Sequence, residues 1–171
     1  MGEEHKVPAL ARESLTYYLH YGRLMDKPAV LPEVLSGRAG AFVSFKKGGH
    51  LRGCIGTFAP TRPTIAEEII QNAVSAGTED PRFPPIALSE VPDLEISVDI
   101  LAAPEQIDSI EALDPKQFGV IVRAGRRSGL LLPDLAGVDT AAGQVAIARE
   151  KAGIGPDEAV ELYRFSVTRY K

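Results

Sequence analysis

The chain has 171 residues, 44% of them hydrophobic, 25% charged and 6% aromatic, with a formal net charge of −4. Such a length buries about two thirds of the extended-chain surface and needs no covalent staple, and one cysteine forbids an internal disulfide. The acidic balance argues against general nucleic-acid binding, and no apolar run approaches the ~18 residues of a membrane span.

The opening residues MGEEHKVPAL carry acids where a signal peptide has bases and an apolar stretch. A cytoplasmic protein is therefore expected, as one domain over residues 1–171 or two small lobes without a firm boundary. Pro8 suits a first helical position. Leu10, Ser14, Tyr17, Tyr18 and Tyr21 recur at helical spacing, so a helix is expected from Pro8 to Met25. Residues 41–45 alternate as a strand, Gly48-Gly49 supplies a tight turn, and His50 to Phe58 returns as the second strand of a hairpin.

Thr64 and Glu67 form a capping box, followed by the apolar stripe Ile65, Ile69, Ala73 and Val74 of a helix to Ala76. A proline-rich loop then runs from Gly77 to Pro85. Glu95 to Leu101 alternates strictly, with Ile96, Val98 and Ile100 on one face and Glu95, Ser97 and Asp99 on the other. A second hairpin is expected around Gly125-Arg126-Arg127-Ser128. Asp139 or Thr140 caps a helix that Gly153 ends, Pro156-Asp157-Glu158 begins a short helix, and Leu162 to Tyr170 reads as one closing strand. Hairpin, helix and strand thus occur twice, giving an α+β pattern with mostly antiparallel pairing. The two halves share no motif. From Ala87 to Pro115 there are eight acids and no base, and Arg123, Arg126 and Arg127 follow. These read as a solvated acidic face and a basic hairpin tip.

Phosphate-loop, dinucleotide and serine-hydrolase motifs are absent. His5, His20 and His50 lack ligand spacing, so neither a zinc site nor a cofactor is expected. The segment Leu51-Arg52-Gly53-Cys54-Ile55-Gly56-Thr57-Phe58 carries the chemistry. Strict alternation puts His50, Arg52, Cys54 and Gly56 on one face, with Arg52 and Cys54 about 7 Å apart along the strand. A guanidinium at that range favours a thiolate, and the paired glycines suggest a bulge, a bend or a ligand close to the backbone. A lone cysteine on a strand also reads as a small buried hydrophobe. His50 lies about 13 Å along the strand from Cys54, too far to be its base.

The second candidate is Glu79-Asp80-Pro81-Arg82-Phe83-Pro84-Pro85, which its prolines make stiff. It either displays Asp80, Arg82 and Phe83 to a ligand, or pairs Asp80 with Arg82 in a local turn and buries Phe83.

The string LRGCIGTF, a helix and then DPRFPP resemble the signature of the AMMECR domain family, known in bacteria as the AmmeMemoRadiSam system protein A group. The segments GLLLPDLAGVDTAAGQVAIAREKAGI and ELYRFSV extend the likeness over almost the whole chain. The resemblance implies an α+β fold in which two repeats share one barrel-like antiparallel sheet. It also implies a common cleft lined by Arg52, Gly53, Cys54, Gly56 and Thr57 with Asp80, Arg82, Phe83, Pro84 and Pro85, and an association with a Memo-like protein and a radical SAM protein.

Two functions compete on these residues. One is a non-catalytic binding or accessory module that uses Arg52, Cys54, Asp80 and Arg82. The other is an enzyme for a small anionic substrate, with Cys54 as nucleophile or thiol donor and Asp80 as a base or as the orienter of Arg82.

Overall fold

The structure, a computed structural model, describes residues 3–171. The first helix, α1 (Lys6–Tyr21), begins where the His5 side chain accepts the Val7 N–H. It ends at Tyr21, four residues before the expected Met25, where Gly22 takes the left-handed conformation at φ 69°. A short α2 (Glu33–Ser36) precedes the first hairpin, β1 (Ala41–Lys47) and β2 (His50–Gly56). Gly48 and Gly49 turn it at φ 57° and 79°, a pairing that suits the strands' twist. Thr64 caps α3 (Ile65–Thr78) by accepting the Glu67 N–H, and β3 (Leu94–Leu101) follows.

Residues up to Leu101 together with Thr168–Lys171 form one compact unit. The sheet order in it is β2-β1-β3-β8, where β8 is Val167–Tyr170. α1 and α3 cover one sheet face, burying Val43, Phe45, Ile96 and Val98 with Leu15, Ile69 and Ala73. Each large apolar side chain removed from water in this way contributes about 1.5–3 kcal/mol. The alternation of β3 fails at Asp99, which is 5% exposed although it lies opposite the core face. Its carboxylate takes Nε and Nη2 of Arg169, at 2.7 and 2.8 Å.

Ala102–Val167 is the second unit. It holds β4 (Glu105–Ile107), β5 (Gly119–Ala124), β6 (Arg127–Leu131), α4 (Ala141–Ala152) and β7 (Glu161–Phe165). Its sheet runs β6-β5-β7-β4. Thr140 caps α4 and Gly153 ends it at φ 68°. Residues 156–158 form a turn instead of the expected helix, because Glu158 folds back to accept the Gly155 N–H. The expected single closing strand is two, β7 and β8, separated at Ser166 and assigned to different sheets. Phe165 anchors β7 by filling the space above Gly119.

The α+β class, the antiparallel pairing and the two repeats all hold. The strands, however, divide into two four-stranded sheets instead of sharing one barrel-like sheet, because each hairpin packs on its own helix around its own core.

The repeat is visible at the level of single contacts. A Cβ on Gly53 in β2 would lie 1.9 Å from the Ala76 carbonyl oxygen of α3, and one on Gly129 in β6 would lie 2.0 Å from that of Ala148 in α4. Four residues before each of those alanines an amide side chain donates to a hairpin carbonyl: Asn72 to Ala41 at 2.8 Å, and Gln144 to Phe118 at 2.8 Å. The accepting residues are themselves equivalent, since each lies four positions before the partner of its glycine, Phe45 or Val122.

Overpacking a filled site typically costs 1–3 kcal/mol. Gly53→Ala and Gly129→Ala should each lower unfolding free energy in urea by about that amount. Gly37→Ala, whose Cβ meets only an Ile65 methyl at 3.8 Å, should stay within about 0.5 kcal/mol of the parent.

Candidate functional site

The cross-strand register decides what β2 displays. Phe45 pairs with Gly53, but Lys46 pairs with Leu51, so Arg52 is an extra residue in a β-bulge. The bulge shifts the alternation by one. Strict alternation, which puts Arg52 on the face of Cys54, therefore does not hold at Arg52. Arg52 turns along the sheet edge, donating to Glu90 from Nε at 3.2 Å and Nη2 at 3.0 Å, and to the Pro84 carbonyl at 3.1 Å.

Cys54 and the proline-rich loop are brought together through Asp80. This carboxylate is 5% exposed. Its Oδ1 accepts the Arg82 backbone N–H at 3.0 Å and Nε at 3.1 Å, and its Oδ2 accepts Arg82 Nη2 at 2.8 Å and the Cys54 N–H at 3.0 Å. The Arg82 bonds, with the Cys54 N–H, hold the carboxyl far below the usual carboxylate range despite its burial. A carboxylate so engaged is a weak proton acceptor. It fixes the guanidinium of Arg82, whose side chain is 58% exposed and lies 5.3 Å from the half-buried Phe83 ring.

Burial pushes the Cys54 thiol above its ordinary value, and the opposing effects of the Arg82 charge and the Ser44 hydroxyl do not outweigh it. Arg82, not Arg52, is thus the cation that acts on the thiol. Ser44, the cross-strand partner of Cys54 on β1, was not expected from the sequence; neither was Ser97, opposite Ser44 on β3.

The remaining candidates have packing roles. Gly53 lies beneath α3, and a Cβ on Gly56 would strike the Phe42 ring at 2.3 Å. The Thr57 hydroxyl donates to Glu68 at 2.8 Å and accepts from Asn72 at 3.1 Å. Glu68 is fully buried, and burial raises its carboxyl. The Thr61 hydroxyl and N–H, the Thr57 hydroxyl and the Arg62 N–H more than offset that and leave it lowered. This network pins the 57–64 loop. Its signal in the sequence is Glu68 and Asn72 on the otherwise apolar face of α3, one helical turn apart. His50 is exposed at the hairpin. Of the eight acids between Ala87 and Pro115, Asp99 and Glu90 leave the solvated face to pair with arginines. Among the described residues no helix is long and apolar enough to cross a membrane.

The Arg52 bonds, with the Ala87 N–H and Lys47, lower the Glu90 carboxyl to about 2. A lowered folded-state value contributes stability that is complete above the unfolded value of about 4.3 and lost as pH falls through the folded one. Glu90→Gln should therefore be less stable than the parent in urea at pH 7, by about 1–2 kcal/mol. That gap should close between about pH 4 and pH 2.

The AMMECR1 family profile matches residues 8–170. The chain is 50% identical over 171 residues to a Thermotoga maritima protein, covering 98% of both chains. It is 50% identical over 164 residues to a Clostridium acetobutylicum protein, of which it spans 35%. The fold matches the crystal structure of an uncharacterised Pyrococcus horikoshii protein at a TM-score of 0.88 and 31% identity, over 95% of this chain and 88% of that one. A match along nearly the full length, in sequence and in fold, places the chain in the AMMECR1 family.

Proposed function

We propose that the protein is a non-catalytic binding module for a small anionic ligand, a carboxylate or phosphate, recognised by Arg82 beside Cys54. It acts as an accessory to a Memo-like protein and a radical SAM protein, the association implied by the sequence resemblance. The observation that carries this reading is the Asp80–Arg82 pair. The buried carboxylate takes Nε and Nη2 of the guanidinium. This leaves Nη1, on a largely exposed side chain, oriented in advance for an anion.

A comparison between the units supports the same reading. In the second unit Leu130 stands where Cys54 stands in the first, directly after the glycine under the helix, and only a lysine, Lys151, reaches its carbonyl. The cysteine and the oriented arginine are therefore features of the first unit that the second unit's equivalent positions lack. The enzyme reading is less well supported. Burial disfavours the Cys54 thiolate, and every oxygen of Asp80 is engaged.

A charge-assisted hydrogen bond contributes about 1.5–3 kcal/mol, which is roughly tenfold or more in affinity. Titration with inorganic phosphate and with succinate, followed by the Cys54 amide resonance, should show saturable binding. Arg82→Gln should weaken it at least tenfold, while Cys54→Ser should stay within about twofold. Unchanged affinity in Arg82→Gln would refute recognition by this arginine. Absence of any complex with purified Memo-like or radical SAM protein, with or without the anion, would refute the accessory role.

A further inference from the structure

The outer edge of the first sheet is closed by side chains in place of a strand. β2 is outermost in its sheet. Its Cys54 N–H, directed away from β1, donates to Asp80 Oδ2 at 3.0 Å, and the Cys54 carbonyl faces Arg82 Nη2 at 3.5 Å. At the bulge, Arg52 reaches back to the Pro84 carbonyl at 3.1 Å. The Asp80–Pro85 segment therefore lies along the edge from Cys54 to Arg52. Pro81, Pro84 and Pro85 have no N–H, so this segment cannot join the sheet as a regular strand.

The equivalent edge of the second unit is closed in a related way. β6 is outermost there, and Lys151 Nζ donates to the Leu130 carbonyl at 2.9 Å. An open edge is a template for pairing with another chain. Antiparallel pairing of a strand with its own copy is self-complementary about a two-fold axis. In such a pair, the Cys54 N–H and carbonyl would bond to the same groups of the second copy.

We infer that the Asp80–Pro85 segment is an edge cap, which keeps β2 from pairing with β2 of a second copy of this chain. The cap acts through Asp80 on a backbone group and does not depend on any ligand of Arg82.

The test compares amide exchange and sedimentation in the full chain. Asp80→Ala should speed exchange of the Cys54 amide at least tenfold while α3 amides keep their parent rates, and it should associate increasingly with concentration beyond the parent protein. Asp80→Asn keeps the side-chain shape and one oxygen acceptor, and should show a smaller change of the same kind. It decides the matter if Asp80→Ala does not fold. Arg82→Gln removes two of the four donors to Asp80 but leaves its carboxylate on the Cys54 N–H, and should speed exchange of that amide less than Asp80→Ala does. A folded Asp80 variant with a Cys54 amide as protected as the parent's, or with faster exchange but parent sedimentation at every concentration, would overturn the inference.

Discussion

One buried carboxylate ties together the parts of this molecule that carry chemistry. Asp80 is removed from water, and an unpaired charge there would cost several kcal/mol. Four donors offset that cost: three from Arg82 and the Cys54 backbone N–H. Pro81 separates the two charged residues by a single position of fixed φ, so the aspartate reaches both the backbone and the guanidinium of the same arginine. The position of the proline-rich loop, the direction in which Arg82 points and the closure of the β2 edge all follow from this interaction.

The second unit separates what the fold requires from what has been added to it. Glycine beneath a helical carbonyl and an amide side chain on a hairpin carbonyl occur in both units. They are the means by which each sheet packs on its helix. Half of the glycine-rich motif is explained in this way, without a ligand. The Asp-Pro-Arg turn, Cys54 and the Glu68 network belong to the first unit alone. That asymmetry, within a repeated plan, directs attention to Arg82.

Much of the fold was legible because its signals are local. The Thr64 and Thr140 caps, the Gly48-Gly49 turn and the Gly153 stop each act over a few residues, and each lies where its chemistry places it. The failures are non-local. The paired glycines allow a bulge, but its place at Arg52 exists only relative to β1, so no alternation count along β2 could locate it. The burial of Asp99 depends on Arg169, 70 residues later in the chain. The break at Ser166 depends on which sheet receives each side of it. For the same reason the pairing of Asp80 with Arg82, two residues apart, could be read as one of two alternatives from sequence, whereas the attachment of Asp80 to Cys54 could not be read at all.

Asp80 stays ionised because it is saturated with donors. Carbon-13 NMR of its side-chain carboxyl across an acid titration tests this directly. The resonance should still be in its ionised position at about pH 3, where an ordinary aspartate, with a pKa of about 3.9, is mostly protonated. A midpoint at that ordinary value would mean that the carboxylate does not hold Arg82 and Cys54 in solution.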